Sequence, residues 1–403
     1  MPRIRVSADT RERVLERIEQ LAGEGLDVAP FLLEAGRQLR RAVPLHPGIL
    51  PNPSWMTIDP ASLLLTSAVA HADQDMSACD MTTEQWAEFE YSSDMPGNRL
   101  SDVVRASGGV QTSTELYEAH PDRADEYREL LAHIGVEHEA LVALQARDGK
   151  HWGAFYLIRE PGMPDFDADE LEFLRRVSPH LADGVRRGLL LGEATEPDGP
   201  DAPAVVVLSN GLDPESLTPG AEEWFADLSD MQPDGLPLSV VSVARAAMGR
   251  DDNDAQPTSA RVRSASRGWV MVHGQVLAGT GGRRVAVTLQ PAGPERITPL
   301  LMSAYGLTER EEEITRHVLQ GGSTAEIARA LTISPYTVQQ HLKNIFEKTS
   351  VNSRSQLSGR VFLRHYGPRV EDNDERVERA RPIRGGPFPD RPHRKTGTTA
   401  PAP

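Results

Sequence analysis

The chain has 403 residues, 39% of them apolar and 5% aromatic, with 43 Lys plus Arg against 59 Asp plus Glu and a net charge of −16. That length is divided among several cores, and the net acidity excludes a protein that coats DNA or an acidic membrane through its overall charge. One cysteine, Cys79, excludes an internal disulfide, and no stretch approaches the ~20 apolar residues of a membrane span, so a cytoplasmic protein is expected.

Met1 to Val6 runs straight into polar residues with no apolar signal region. Residues 1–192 then mix helical and strand patterns. Val14, Leu15, Ile18 and Leu21 mark one face of a helix that Gly23 can end. A second helical pattern covers 30–42. Val142-Ala143-Leu144 and the run 153–158 flank the polar turn Arg147-Asp148-Gly149-Lys150, the pattern of a β-hairpin. A long helix opens at Asp167, with Glu170 three residues on as a carboxylate form of the capping box. Its stripe of Leu171, Leu174, Val177, Leu181, Val185 and Leu189 reads equally well as core or as half of a dimer seam.

Residues 193–202 have no apolar period and read as a linker. The block 203–292 opens with Val205 to Leu208 and a turn at Asn210-Gly211. Helices over 221–228 and 240–248 follow, then strand-like runs over 259–264, 269–277 and 284–289. Gly279-Thr280-Gly281-Gly282 lies between two strands, whereas a phosphate-cradling loop needs a helix after it, so a hairpin turn is expected there. The order β, α, α, β, β, β suits a small antiparallel sheet with helices on one face. A short amphipathic helix over 293–302, carrying Ile297, Leu300 and Leu301, connects this block to the next.

Residues 303–366 carry the most specific pattern, an all-α arrangement of four short helices marked by their own caps. Thr308 with Glu311 forms a capping box for the first, which buries Ile314, Val318 and Leu319 and ends at Gly321-Gly322. Ser323 with Glu326 caps the second, over Ile327, Ala328 and Leu331. After the turn at Thr332-Ile333, Ser334 caps a third helix with Pro335 in its first turn. Ser353 caps a fourth, with Leu357, Val361 and Phe362 inward. Two short helices joined by a tight turn inside a small bundle form a helix-turn-helix.

The third helix gives the functional argument. At about 100° per residue, Val338, Leu342, Ile345 and Phe346 fall on one side, and Tyr336, Gln339, Gln340 and Lys343 on the other. Core packing explains only the first group, and a solvated face is the plain explanation of the second. The composition of that second group suits base edges. Gln pairs bidentately with adenine N6 and N7, and Lys donates to guanine or phosphate. Glu347 lies on the same stripe and would be repelled by phosphate unless it sits past the groove or accepts from a cytosine amine. Net charge sharpens the contrast, at −3 over 301–328 and +5 over 329–366. The cationic half is the one with the third helix, where phosphate neutralisation must occur. Across the chain the charge is −20 over 1–306, +2 over 307–366 and +2 over 367–403. That last stretch is rich in Pro, Arg and Gly, has few aliphatic residues to bury, and is expected to be a disordered tail.

Leu307-Thr308-Glu309-Arg310-Glu311, Gly321 to Ala328, Ile333 to Val338, Gln339 to Ile345 and Lys348 to Arg354 resemble the LuxR-type (GerE-like) DNA-binding domain over some sixty residues. The resemblance implies a third helix (about 335–348) in the major groove of operator DNA and a fourth that often helps dimerise. It places base reading at Gln339, Gln340 and Lys343 and backbone contacts near Ser323, Thr337, Lys348 and Arg354; Ser334 and Tyr336 complete the expected DNA-binding set. Two positions depart from the family pattern. Ser350 replaces the usual Gly where a left-handed backbone is favoured, and Gln339 replaces a commonly basic residue.

Upstream, Ser54 to Pro60, Trp152-Gly153-Ala154 and the helix from Asp167 resemble a GAF-like α/β sensor. Pro219 to Phe225 and Arg267 to His273 resemble a PAS-like antiparallel sheet with helices. The resemblance implies sensing or dimerisation and names no ligand. The fold expected is therefore multidomain α+β: 1–192 GAF-like, 203–292 PAS-like, 303–366 helix-turn-helix.

Binding is expected, not catalysis. There is no G-x-S-x-G elbow, no Walker A loop and no N-terminal β/α repeat with an acidic phosphoreceiver pocket. The twelve histidines show no close metal spacing: His133 and His138 are five apart, on different faces of a helix. His71 and His151 read as core or surface residues and Cys79 as a small buried apolar group, and no cofactor or metal is expected. Expected partners are duplex DNA, a second copy of the chain, and a small-molecule or protein effector. The alternative leaves the upstream domains as dimerisation and protein-interaction scaffold.

Overall fold

The computed structural model describes residues 5–45, 53–69, 83–91, 99–105, 108–191, 203–228, 235–249, 258–264, 268–277, 282–360 and 376. His71, Cys79, the linker 193–202, Gly279 to Gly281, Val361, Phe362 and, apart from Arg376, the stretch 367–403 lie outside them.

Helix α1 (Ala8–Gly23) starts where the Ser7 hydroxyl accepts the Thr10 N–H, and its stripe of Val14, Ile18 and Leu21 is buried. Asp27 opens α2 (Val28–Ala42), which buries Phe31, Leu32 and Leu39. The chain continues through β1 (Ser54–Ile58), β2 (Leu65–Val69), α3 (Thr83–Tyr91), α4 (Leu100–Arg105), β3 (Val110–Thr112), α5 (Ser113–Ala119) and α6 (Ala124–His133). Strands β4 (His138–Gln145) and β5 (His151–Arg159) form the expected hairpin, its turn carried by Gly149 at φ +82°. His133 closes α6 and His138 opens β4, so the two histidines share no helix.

These strands make a five-stranded antiparallel sheet in the order β2-β1-β5-β4-β3. Helix α7 (Ala168–Leu191) begins with the reciprocal Asp167–Glu170 bonds that the sequence suggests, each 2.9 Å. Its Leu174, Val177, Leu181 and Val185 are buried with α1, α2, Trp152 and Phe155, so the stripe serves as core within one chain. Phe31 of α2 lies so close over Gly184 that an added Cβ would overlap its ring. The opposite face of the sheet packs Met56, Ile58, Leu141 and Tyr156 against Leu100 and Val103 of α4.

A second antiparallel sheet combines β6 (Ala204–Leu208), β7 (Pro214–Leu217), β8 (Thr258–Arg263), β9 (Trp269–Leu277) and β10 (Arg284–Pro291), in the order β7-β6-β10-β9-β8. The sequence pattern misses β7 because its four residues are all exposed and show no alternation. Between the strands lie α8 (Ala221–Asp227) and α9 (Leu238–Met248). Helix α9 is apolar on nearly every side because it is buried on two: it covers β8, β9 and β10 and also packs on β2 and α3.

Helix α10 (Pro294–Ala304) bridges two cores. Ile297, Leu300, Leu301 and Ala304 are buried in the cluster of the first sheet, whereas Met302 belongs to the cluster of the last four helices. Those are α11 (Glu309–Leu319), α12 (Thr324–Ala330), α13 (Pro335–Thr349) and α14 (Arg354–Ser358). Among the described residues, no helix is long and apolar enough to cross a membrane.

Candidate nucleic-acid interface

Local capping builds this part of the molecule. Thr308 accepts the Glu311 N–H while the Glu311 carboxylate accepts the Thr308 N–H at 2.8 Å, and Ser323 with Glu326 repeats the arrangement. Ser334 accepts the Thr337 N–H at 3.0 Å, with Pro335 in the first turn, where a missing N–H costs nothing. Thr332, at φ +55°, turns the chain between α12 and α13. Ser353 accepts the Gln356 N–H and opens α14, with Leu357 fully buried.

The burial of α13 follows the two-sided pattern. Val338, Leu342 and Ile345 are buried against Ile314, Ile327 and Ala328, and Phe346 is half-buried. Tyr336, Gln339, Gln340, Lys343 and Glu347 are exposed, Tyr336 to 69%. Asn344 shares that face, four residues after Gln340, a position the 100° rule also marks and the sequence reading overlooked. A groove of about 770 Å³ takes in part of the stripe, lined by Leu342, Phe346 and Val351 and by the polar Thr324, Gln339, Lys343 and Asn352.

Of the other expected DNA contacts, Ser323 and Ser334 are exposed and Thr337 is half-buried. Ser323 and Ser334 already act as caps, and the Thr337 hydroxyl lies 2.8 Å from Ser334 Oγ. Lys348 and Arg354 carry structural bonds. Lys348 Nζ donates to Glu311 Oε2 at 2.7 Å, tying the end of α13 to the start of α11. Burial alone would raise the Glu311 carboxyl; the Lys348 ammonium and the Thr308 N–H outweigh it and hold the group below its ordinary value. Arg354 donates to Gly322 O at 2.6 Å and to Thr324 Oγ1 at 2.8 Å, tying α14 to the start of α12.

The sequence gives no hint of a polar joint behind this interface. Lys150, at the β4–β5 turn, donates to Glu312 Oε1 and to Ser303 Oγ, both at 2.6 Å. Its partners lie 162 and 153 residues away, beyond any local pattern.

The family model described as bacterial regulatory proteins, luxR family, matches residues 306–359. The chain is 44% identical over 50 residues to the spore germination protein GerE of Bacillus subtilis, covering 12% of this chain and 68% of that one. It is 47% identical over 57 residues to the monoamine regulon transcriptional regulator of Klebsiella aerogenes, covering 14% of this chain. There it spans a quarter of the relative's length, 25%. Among solved structures, the E. coli DhaR(N)–DhaL complex aligns over 72% of this chain and 93% of that one, at 11% identity and a TM-score of 0.23. That score is too low to compare folds.

Proposed function

The chain belongs to the luxR family of bacterial regulatory proteins, and from that premise we propose that it is a cytoplasmic, sequence-specific DNA-binding regulator of transcription. The observation that carries this reading is the two-sided α13. Its apolar side is consumed by the helix-turn-helix core, which leaves Tyr336, Gln339, Gln340, Asn344 and Lys343 on an open face without a structural bond among the described residues. In the proposed complex α13 lies in the major groove, Gln339 and Gln340 meet base edges, and Lys343 meets guanine or phosphate. Lys348 and Arg354 chiefly hold α13 and α14 in place. One of the three Lys348 N–H groups is on Glu311, which leaves others for a phosphate.

Upstream, the antiparallel sheets over 54–159 and 204–291 are consistent with GAF-like and PAS-like modules within 1–192 and 203–292. We assign them to sensing an effector and to pairing two chains, so that two copies of α13 meet two half-sites. A contact there controls DNA binding only if it favours one conformation over another. No catalytic step is part of this function.

Selection of duplexes from a random pool by the full chain tests the reading. An enriched operator is the expected outcome. Gln340→Ala should then cost about 1–3 kcal/mol at one base position per half-site. Lys343→Ala should weaken binding and flatten its salt dependence if it meets phosphate. A pool without enrichment, or both variants binding like the parent with the same sequence preference, would overturn it.

A further inference from the structure

A domain tethered at one point can pivot about it; a second contact removes that freedom. The helix-turn-helix is tethered through α10, whose Ile297, Leu300 and Leu301 are fixed in the first core. The chain leaves α10 through Tyr305 and Gly306, and Gly306 has φ +71°. Arg186 of α7 sits at this pivot, donating to Ala304 O at 2.6 Å, and a Cβ on residue 306 would lie 2.7 Å from its guanidinium. Arg186 thus holds the pivot, and Met302 of α10 packs across it into the core of the last four helices.

The second contact is the Lys150 joint. Glu312 lies on α11, beyond the pivot, and its Oε1 receives Lys150 at 2.6 Å and lies 3.0 Å from Ser303 Oγ. Its other oxygen receives Arg316 at 3.2 Å. Ser303 Oγ accepts from Lys150 and lies 2.9 Å from Pro299 O, so the hydroxyl is locked onto α10. Lys150 thus binds both sides of the pivot at once, from the tip of a hairpin whose strands belong to the first sheet. Glu312 is buried and its partner partly so, which protects the pair from screening more than an exposed pair.

We propose that Lys150 is a positioning residue: it fixes the orientation of the helix-turn-helix against the first sheet and so sets the half-site spacing the protein accepts. The operator half of this inference rests on the DNA-binding reading above; the orientation half does not. A change at the hairpin tip that withdraws the ammonium would loosen α11 about Gly306, leaving the Ser303–Glu312 contact and the Met302 packing across the pivot, without altering any residue of α13.

The test uses the full chain with Cys79→Ser and spin labels on Glu118→Cys and Gln320→Cys, both exposed positions. In the parent, mixed with excess unlabelled chain so that only the two labels of one chain are read, the distance between labels should form one narrow distribution. Lys150→Met should widen it at least two-fold, and Lys150→Arg, which keeps the charge, should restore it. Equal widths in the parent and Lys150→Met would overturn the proposal. On the selected operator, the parent should lose at least 10-fold affinity when one base pair is inserted between half-sites, and Lys150→Met less than 3-fold. The same spacing penalty in both would overturn the operator half. A parent that enriches no duplex would instead defeat the DNA-binding reading, and the distance measurement would still decide the orientation.

Discussion

Ser350 holds φ +53° and ψ +46° at the C-terminal end of α13. Its N–H donates to Glu347 O at 3.2 Å, and the Val351 N–H returns to Phe346 O at 3.0 Å, so the left-handed residue closes the helix and turns the chain toward α14. A Cβ in this conformation is strained, and glycine would relieve it. Ser350→Gly should therefore stabilise the helix-turn-helix by about 0.5–1 kcal/mol, the gain being trimmed by the greater freedom of glycine in the unfolded chain. Denaturant unfolding would show it, and a variant no more stable than the parent would mean that strain is already absorbed. At this scale much was legible. The caps Thr308, Ser323, Ser334 and Ser353 each act within three residues, and short-range bonds leave short-range patterns. The bonds of Lys348 and Arg354 were not legible, since a cation's partner 37 or 30 residues away leaves no trace in its neighbourhood.

Among elements, α3 and α4 are joined by a charge-sensitive link. The Leu100 N–H at the start of α4 donates to Glu90 Oε1 at 2.8 Å, and the next residue of α3, Tyr91, receives the Leu65 N–H of β2 at 2.9 Å. Burial pushes the Glu90 carboxyl up to about 8, against the smaller opposing pulls of the Leu100 N–H and the Arg99 charge. The folded state therefore holds this proton in a range where the unfolded chain, near 4.3, has lost it. Stability from this group is complete below the unfolded value and declines as pH rises to about 8, by at most about 1.4 kcal/mol per pH unit. Glu90→Gln keeps an acceptor for Leu100 and carries no charge. Unfolding measured at pH 6 and pH 9 should show a smaller loss in the variant than in the parent; equal losses would mean that Glu90 is solvated when charged. Four strands, β1, β2, β3 and β7, are not marked by the sequence pattern, β1 and β7 for one shared reason. Met56 to Ile58 are buried in succession and β7 is exposed throughout, so neither alternates as a half-buried strand does.

Across the whole molecule, the first core takes in Trp269 and Met271 from the second sheet and Ala292 just past it, together with α10. Asp59, just past β1, binds Arg261 of β8, 202 residues away. Its Oδ2 receives the Arg261 backbone N–H at 2.7 Å and Nε at 2.8 Å, and its Oδ1 receives Nη2 at 2.6 Å and the Ala61 N–H at 2.8 Å. Burial would raise the Asp59 carboxyl; the Arg261 guanidinium reverses this and holds it below its ordinary value. The pair thus stabilises the fold above the unfolded carboxyl value of about 3.9, and its contribution is lost as pH falls through the lower folded value. Two buried charges that satisfy each other need not add net stability over an apolar pair, but either one alone is costly. Asp59→Ala should lose about 3–5 kcal/mol, because it strands the guanidinium between the sheets. Adding Arg261→Met should recover at least about 2 kcal/mol of that loss, since no unpaired charge remains. A double variant as unstable as Asp59→Ala would show that the two carboxylate bonds to backbone N–H groups, Ala61 and Arg261, carry the loss, with the ion pair secondary.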